Sequence, residues 1–374
     1  MKVAVLQEQN SLECRVAVTP KTVKRLLQLG FDVVIGSGAG LRSGISDEEY
    51  SAAGASIVTG ENVCTGADVI LAVGRPPVNK SLNCKEGALL IGSLDPYSHT
   101  GALKDLIKSN KLSCFPMELL PRITRVQGMD VLSSQANLIG YRGFVDAAYE
   151  YGKVIPMMIT SAGTLLAAKV FVMGVGVAGL QAIATARRFG AMVTATDVRP
   201  SAKEQVLSLG AKFIAVEDEE FKQAEAATGY AKPMSPEYLA KQEVLVADHL
   251  KNQDIVIAAA FVPGRPAPKL VKKAMLRSMK SGSVVVDLAV ERGGNVEDSV
   301  AGKVVEVSGV KIIGYDNYAS RLASSASQLY AENLYSFLES MVDKEKKTLS
   351  PDWEDEVIKA VAVSKNGEVL SSLL

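Results

Sequence analysis

A glycine-rich turn between a strand and a helix constrains the fold of this chain more than any other feature. The strand-like run Lys169–Met173 leads directly into the sequence GVGVAG, and Leu180–Phe189 follows at helical spacing. In such a turn Gly174 permits the sharp bend, Gly176 lets a phosphate approach the backbone, and Gly179 lets the helix pack on the strand. Free N–H groups at the start of the helix attract an anion. The pattern predicts a doubly wound α/β domain that binds a dinucleotide at this turn.

An acidic residue at the end of the next strand indicates which dinucleotide is bound. The strand-like run Met192–Thr196 ends at Asp197, where a carboxylate accepts hydrogen bonds from the adenosine ribose and repels a 2′-phosphate. This favours NAD(H) over NADP(H). Arg199 leaves an alternative open, because an arginine at that place either pairs with a 2′-phosphate or faces solvent. A glycine-rich turn that holds no ligand is the other alternative.

The length and charge of the chain limit its class. A chain of 374 residues is too long for one ordinary hydrophobic core and suits two domains. It is 48% hydrophobic and 22% charged, which is typical of a globular protein. Lysine plus arginine and aspartate plus glutamate are both 41, so no net field draws the chain to nucleic acid or to an anionic membrane.

The first 130 or so residues alternate strand and helix signals. Thr19 and Pro20 predict the start of a helix at Lys21–Leu29, and Ser46 with Glu49 fits a capping box. This alternation predicts a first doubly wound parallel sheet over about the first 130 residues. Its strands are expected at Val3–Leu6, Phe31–Ile35, Asp68–Val73, Ala88–Ile91 and Leu112–Phe115.

A long helix is expected to carry the chain into a second α/β domain. Val131–Gly152 contains no proline, and its apolar residues recur at helical spacing. The helical pattern Ala323–Met341 then returns the chain to the first domain. We therefore predict two Rossmann-like domains joined by a long helix: residues 1–132 completed by 320–374, and the nucleotide-binding residues 133–319. The polar stretch Glu217–Pro236 is expected to be a mobile functional loop. Strands of the second domain are expected at Lys169–Met173, Met192–Thr196, Lys212–Val216, Asp254–Ala259, Ser283–Leu288 and Lys311–Ile313.

Cysteine spacing and the N-terminus indicate a reducing compartment. The four cysteines form no CxxC pair, so neither a zinc site nor a disulfide framework is expected. The first residues run straight into a strand pattern and lack the features of a signal peptide. The apolar stretch Met157–Ala186 is interrupted by Lys169 and by glycines, which favours a strand, a turn and a helix over a membrane span. We expect a soluble, cytoplasmic chain without a metal.

The shortage of histidine argues against an ordinary dehydrogenase. Oxidation of an alcohol or amine by NAD needs a base for the proton, commonly histidine or lysine. His99 follows turn signals and His249 lies in an amphipathic run, so each is expected to be a surface histidine. Hydride transfer between two nicotinamides moves no proton at the reacting carbons and needs no such base.

A dense polar loop is the candidate for the chemistry. Pro121–Asp130 has the sequence PRITRVQGMD and leads into the long helix. Its side chains supply the donors and acceptors that a nicotinamide carboxamide and ribose require. On the residues alone, the alternative that Arg122, Gln127 and Asp130 only cap and solubilise the loop stays open.

Several motifs together resemble the NAD(H)-binding domain of proton-translocating transhydrogenases. The resemblance spans nearly the whole chain. It is carried by Met117–Asp130, Leu132–Gln135, Gly140–Arg142, Gly174–Ala186, Lys203–Val206, Gly229–Lys232, Pro263–Pro268 and Asp287–Asn295.

The resemblance implies a division of roles among residues. Arg122, Gln127, Asp130 and Ser133 would position the NAD(H) nicotinamide and meet NADP(H) held on a partner domain. Asp197 would bind the adenosine ribose, and Tyr230 would close on the nucleotide. Weaker contacts are implied for Arg125, Val175, Val177, Val198, Arg199, Gly229, Gln242 and Phe261.

The same resemblance implies partners and a location. Membrane-spanning and NADP(H)-binding subunits would couple hydride transfer to proton translocation. The chain itself would form a homodimer and lie in the cytoplasm, peripheral to the inner membrane through those partners, and no direct membrane insertion or nucleic-acid partner is implied.

Alanine dehydrogenases are the main rival, because they share the fold and early motifs such as Arg15-Val16-Ala17. Members of that family use a lysine and a histidine. Here Val73–Pro76 and Ser93–Asp95 stand near those places and contain neither residue type. A nucleotide-binding module without turnover is a third hypothesis.

Overall fold

The computed structural model describes residues 1–78, 82–98, 100–224, 232, 234–261 and 264–374. The chain forms two compact units, of which the first is Met1–Gln135 together with Ala319–Leu374 and the second is Ala136–Tyr318. The α/β class expected from the sequence is confirmed.

The regular elements are numbered in chain order. The strands are β1 (Lys2–Val5), β2 (Asp32–Gly36), β3 (Ser56–Val58), β4 (Val69–Leu71), β5 (Leu89–Gly92), β6 (Ser113–Pro116), β7 (Met158–Thr160), β8 (Gly163–Leu165), β9 (Lys169–Met173), β10 (Met192–Thr196), β11 (Lys212–Phe213), β12 (Ile255–Ala258), β13 (Val284–Asp287), β14 (Lys303–Val307), β15 (Val310–Gly314), β16 (Val342–Asp343), β17 (Thr348–Leu349), β18 (Ser364–Lys365) and β19 (Glu368–Val369). The α-helices are α1 (Pro20–Gln28), α2 (Asp47–Ala52), α3 (Thr100–Asn110), α4 (Val131–Glu150), α5 (Val177–Arg188), α6 (Ser201–Ser208), α7 (Glu219–Lys222), α8 (Pro236–Leu250), α9 (Lys273–Ser278), α10 (Ala323–Glu339) and α11 (Glu356–Val361).

The first unit is built on a parallel sheet in the order β3-β2-β1-β4-β5-β6. Successive residues of β1 pack on opposite faces: Val3 and Val5 join one buried cluster and Ala4 joins the other. A strand buried on both faces needs such a continuous apolar run. The helix starts expected from the sequence are confirmed, because the side chains of Thr19 and Ser46 cap α1 and α2.

The second unit has a sheet in the order β11-β10-β9-β12-β13-β15-β14. Strand β9 lies at its centre, with Val170 and Val172 buried in one cluster and Phe171 and Met173 in the other. Strand order reverses at β9, between β10 and β12, and the carboxyl ends of strands at such a switch point form the usual ligand crevice of this fold. The glycine-rich turn follows β9 directly.

Some details of the second unit differ from the sequence-based expectation. Strand β14 pairs antiparallel with β15 and was not foreseen, because a polar edge strand lacks a buried apolar run. Strand β11 ends at Phe213, earlier than expected, and the N–H of Val216 donates instead to the side chain of Gln242. The hairpin of β7 and β8 was likewise not foreseen, and its residues are exposed.

Close packing of α4 on the start of α5 depends on a glycine. A Cβ atom at Gly140 would lie 2.0 Å from the backbone oxygen of Ala178. Backbone cannot yield as a flexible side chain does, so the two helices approach this closely only because Gly140 has no side chain.

We predict that Gly140→Ala destabilises the protein by about 1–3 kcal/mol, because the added methyl group overpacks a rigid contact. Thermal unfolding followed by circular dichroism measures the change. Gly152→Ala is the matched control, since a Cβ atom at Gly152 meets nothing within 4 Å. Equal unfolding midpoints for the two variants would contradict this account of the helix contact.

Candidate dinucleotide site and polar loop

The glycine turn, residues 174–179, has the geometry that its sequence predicts. Gly174 has φ +93°, and a Cβ atom there would lie 2.8 Å from the backbone of Ala259 and Ala260. A Cβ atom at Gly179 would lie 1.9 Å from the oxygen of Gly174. These two glycines are therefore required by the fold, for the bend and for the contact between helix and strand.

Gly176 differs, because its place has nothing to do with internal packing. A Cβ atom at Gly176 would meet nothing within 4 Å. Gly176 is also the N-cap of α5, and no side chain caps that helix. Open space beside an uncapped helix start fits a phosphate group that accepts the first N–H groups of the helix.

Asp197 lies beside the glycine turn at the end of β10. The N–H of Val175 donates to its Oδ2 at 2.7 Å. Arg199 donates to the same carboxylate through its backbone N–H, at 2.9 Å, and through its guanidinium, at 3.0 Å from Nε to Oδ1. The guanidinium of Arg199 therefore folds back onto Asp197, which is neither of the two arrangements that the sequence left open.

A cavity of about 490 Å³ opens between the ends of β9 and β10 and helix α8. Volumes of this size are typical of small-molecule sites. Most of its wall is apolar, with Asp197, Glu243, Lys269 and Lys272 as charged members. The residues that line it are Met173, Gly174, Thr196, Asp197, Val198, Met234, Leu239, Gln242, Glu243, Val246, Ala260, Pro268, Lys269, Leu270 and Lys272.

Gln242 lines this cavity, but its amide already joins two strand ends. Its Nε2 donates to Thr196 Oγ1 at 2.9 Å, and its Oε1 accepts the N–H of Val216 at 2.9 Å. The side chain is buried. Gln242 therefore fixes the segments that follow β10 and β11, and any contact with a ligand is additional to that role.

The remaining residues implied for the nucleotide differ in exposure. Val175 is buried, Val177 and Val198 are half-buried, and Phe261 is exposed. Gly229 and Tyr230 lie outside the described residues, as does His99.

His249 is not the surface residue that the sequence suggested. Its Nε2 lies 2.9 Å from Thr194 Oγ1, and its ring packs against the edge of Phe171. Burial lowers the pKa of this imidazole. The reason is that His249 lies on the face of α8 that packs on the sheet, so it serves the interior of the unit.

Asn295 is a site residue that the sequence marked only as a member of a motif. Its side chain accepts the N–H of Ala260 at 3.0 Å and donates to the oxygens of Ala260 and Pro268. Ala260 and Pro268 line the cavity, so this amide holds one wall of it. Asp287 in turn accepts the N–H groups of Asn295 and Val296.

The polar loop, residues 121–130, belongs to the first unit and contains a short 3-10 helix, Thr124–Met129. Arg122 and Gln127 are exposed on it. Val126 is buried and anchors the loop. Arg125 donates to the carboxylate of Asp355 at 2.7 Å, so its guanidinium is committed to an ion pair.

Asp130 and Ser133 lie together at the start of α4. Asp130 Oδ1 accepts the N–H of Ser133 at 2.9 Å, and Oδ2 accepts the Ser133 hydroxyl at 2.5 Å. Of the residues expected to position the nicotinamide, the structure thus brings these two into contact. The alternative that Asp130 caps the loop agrees with this bond, and a capping role leaves carboxylate acceptor positions for a ligand.

Asn333 was missed by the sequence reasoning, although it fixes the polar loop. Its Nδ2 donates to the oxygen of Gly128 at 2.8 Å, and its Oδ1 accepts the Ser134 hydroxyl at 2.6 Å. It is a buried amide on α10, far away in sequence. An asparagine in the middle of an otherwise apolar helix face was the available signal.

Glu118 fixes the entry to the polar loop. Its carboxyl group accepts the N–H of Asp95 at 2.8 Å and that of Leu94 at 3.2 Å. Burial raises the pKa of Glu118 to about 7, and the bond from Asp95 opposes that rise. The loop therefore begins at a carboxyl group that is protonated more easily in the folded protein than in the unfolded chain.

Both units match one protein family. The chain matches the family described as "Alanine dehydrogenase/PNT, N-terminal domain" over residues 4–139 and "Alanine dehydrogenase/PNT, C-terminal domain" over residues 144–372.

Among curated proteins, the chain is similar to an NAD(P) transhydrogenase subunit alpha protein of Rhodospirillum rubrum, with 48% identity over 380 residues, covering 100% of this chain and 99% of that protein. The protein of the same name from Rickettsia prowazekii is 43% identical over 379 residues, covering 100% and 97%.

Among solved structures, a transhydrogenase from Sinorhizobium meliloti has 55% identity and a TM-score of 0.90, covering 99% of this chain and 100% of that one. An L-alanine dehydrogenase has a TM-score of 0.82 at 21% identity, covering 100% of this chain and 97% of that one, and this likeness concerns the fold alone.

We predict that Glu118 makes the stability of the first unit depend on pH. Because its folded pKa is about 7 against an ordinary value of 4.5, the folded state holds the proton more tightly. Stability relative to Glu118→Gln should therefore fall as the pH rises from about 5 to about 7, and change little above that. Unfolding midpoints across this range measure the difference. Glu86→Gln, at an exposed glutamate, is the control, and a pH-independent difference for Glu118→Gln would refute the prediction.

Proposed function

The chain belongs to the alanine dehydrogenase/PNT family and, within it, to the NAD(P) transhydrogenase alpha subunits, and from this premise we propose that it is an NAD(H)-binding component of a proton-translocating transhydrogenase. In this proposal it exchanges a hydride with NADP(H) held on a partner domain.

The observation that carries the proposal is the pairing of the glycine turn with Asp197. Open space beside Gly176 at an uncapped helix start suits a pyrophosphate, and Asp197 lies in contact with the same turn. An acidic group at this place favours a ribose hydroxyl and repels a 2′-phosphate. These features support NAD(H) rather than NADP(H) as the nucleotide bound by this chain.

In this proposal the backbone N–H groups around Gly176 hold the pyrophosphate, and the apolar cavity beside Asp197 takes the adenosine. Val198 and Gln242 lie in the wall of that cavity. Gly229, Tyr230, Val175, Val177 and Phe261 remain proposed contacts of the nucleotide.

Arg122, Gln127, Asp130 and Ser133 are the proposed positioning residues for the nicotinamide. Bound NAD(H) supplies the hydride, and this transfer moves no proton at the reacting carbons. The exposed amide of Gln127 and the guanidinium of Arg122 offer hydrogen bonds, and Asp130 with Ser133 offers a fixed carboxylate. The loop contains no histidine or lysine, in keeping with a reaction that needs orientation instead of a base.

The partners proposed for this chain are an NADP(H)-binding subunit and membrane-spanning subunits that move protons. The relatives are named as alpha subunits, and such names support an assembly of several chains. Across the described residues, no helix combines the length and apolar character needed to cross a membrane. We propose a cytoplasmic position, peripheral to the inner membrane and dependent on those partners.

We predict that Gln127→Ala and Asp130→Asn lower hydride transfer by at least about tenfold while NADH binding is kept, because they disturb orientation only. The assay mixes the chain with NADH, an NADP⁺ analogue and a transhydrogenase NADP(H)-binding domain. Asp130→Asn retains an acceptor for Ser133, and Gln205→Ala on α6 is the control for an exposed glutamine.

Transfer that occurs only with the partner domain supports the proposal. Unchanged transfer in both variants contradicts the role of the polar loop. Oxidation of NADH by pyruvate and ammonium without a partner would instead favour an alanine dehydrogenase activity.

That second activity is disfavoured by the state of Arg15. Its guanidinium makes two bonds to Glu13, at 2.8 and 2.7 Å, and a third to Gln135 at 2.9 Å. It also lies over the ring of Tyr330. A guanidinium already neutralised by a glutamate is poorly suited to hold the carboxylate of an amino acid.

Homodimer formation is supported by the hairpin of β7 and β8. Ile159 and Leu166 are 76% and 80% exposed, and Met157 and Leu165 are at least half exposed. A two-stranded hairpin is marginally stable alone, and a cluster of exposed apolar side chains marks an interaction surface. We propose that this hairpin packs on a second copy of the chain.

We predict that Ile159→Glu together with Leu166→Glu converts the dimer to a monomer, because two charges cannot be buried in an apolar contact. Sedimentation velocity measures the oligomeric state. Leu207→Glu, at an exposed leucine of α6, is the control. A monomer without any substitution, or a dimer that survives both, overturns the role of the hairpin.

A further inference from the structure

The carboxylate of Asp197 has no acceptor position left in this structure. Oδ1 accepts the backbone N–H of Arg199 at 2.9 Å and its Nε at 3.0 Å. Oδ2 accepts the N–H of Val175 at 2.7 Å and Nη2 of Arg199 at 3.0 Å. An ionised carboxyl group offers about four lone-pair positions, so these bonds fill it.

The four bonds differ in how easily they are given up. Those from the N–H groups of Val175 and Arg199 belong to the backbone of two turns and persist as long as the turns do. Those from the guanidinium depend on a long side chain with several rotatable bonds. Arg199 is 20% exposed and Asp197 8%, so solvent lies on the side of the arginine.

The guanidinium also closes the contact between the two turns. Nη2 of Arg199 donates to the oxygen of Val175 at 2.9 Å as well as to Asp197. Arg199 thus bridges the turn after β10 and the glycine turn. Both turns border the cavity, which Gly174 and Asp197 help to line.

Under the proposed function, the hydroxyl groups of an adenosine ribose donate to Asp197. We infer that the guanidinium of Arg199 is an internal competitor for that carboxylate, and that it must leave before the ribose can bind. This inference rests on the proposed function and deepens it, because it assigns Arg199 a role in setting affinity and specificity.

Two consequences follow. Binding is weakened by the fraction of molecules in which Arg199 is still engaged, since only the disengaged form is competent. Discrimination against a 2′-phosphate is also reduced, because a guanidinium compensates the charge of Asp197 and is itself a good phosphate ligand.

The test is equilibrium binding of NADH and NADPH to the full chain. We expect Arg199→Met, which keeps the length of the side chain but removes the fork of donors, to bind NADH about fivefold more tightly, the order expected for one exchanged hydrogen bond. NADPH should bind more weakly than to the unsubstituted chain. Arg188→Met, at an exposed arginine of α5, controls for the change in net charge.

A second variant keeps the charge. Arg199→Lys retains a cation but cannot form the two-pronged contact, so the gain in NADH affinity should be smaller. NADH affinity that is unchanged or weaker in both variants overturns the inference, whereas the proposed function stands as long as the unsubstituted chain binds NADH. Absence of NADH binding by the unsubstituted chain overturns both.

Coupling to Asp197 and to the ribose distinguishes competition from a general effect of charge. In the background of Asp197→Asn, the further change Arg199→Met should give no gain, because the competed group is gone. With ADP and its 2′-deoxy and 3′-deoxy analogues, the gain should be lost for the analogue that lacks the hydroxyl donated to Asp197. An equal gain for all three ligands, or a full gain in the Asp197→Asn background, contradicts the inference.

Discussion

The contact between the glycine turn and the backbone around it is the constraint on which the second unit depends. A Cβ atom at Gly179 would overlap the oxygen of Gly174, at 1.9 Å, and one at Gly174 would reach the backbone of Ala259 at 2.8 Å. Helix α5 therefore starts close against the carboxyl ends of β9 and β12. This closeness directs its free N–H groups to the open space beside Gly176, and it brings Val175 within hydrogen-bonding distance of Asp197.

Buried polar side chains hold the irregular segments around this framework. Asn295 fixes the cavity wall at Ala260 and Pro268, Asn333 fixes the polar loop at Gly128, and Glu118 fixes the entry to that loop. Loops carry backbone polar groups that must be paired, and a side chain from elsewhere in the fold supplies the partner. The proposed chemistry benefits, because hydride exchange without a base depends on groups held in fixed places.

The Asp197 carboxylate links the framework to ligand choice. Its two backbone bonds hold the turns together, and its two bonds to the Arg199 guanidinium occupy the positions that a ribose would use. An affinity that is lowered in this way suits a component that must release its nucleotide in each cycle. Two nearby residues, one acidic and one basic, would therefore set how tightly NAD(H) is held and how well it is distinguished from NADP(H).

The sequence by itself determined the class of fold, the glycine turn and the acidic residue after β10, because these follow from local patterns: alternating apolar runs, a G-x-G-x-x-G spacing and capping residues. It also pointed to the family through motifs spread along the chain. Only the tertiary structure decided that Arg199 folds onto Asp197, that Gln242 spends its amide on Thr196 and Val216, that His249 packs on the sheet, and that Asn333 holds a loop some two hundred positions earlier, at Gly128. Such pairings join residues whose side-chain directions and partners are set by how helices pack on sheets, and no local pattern encodes them.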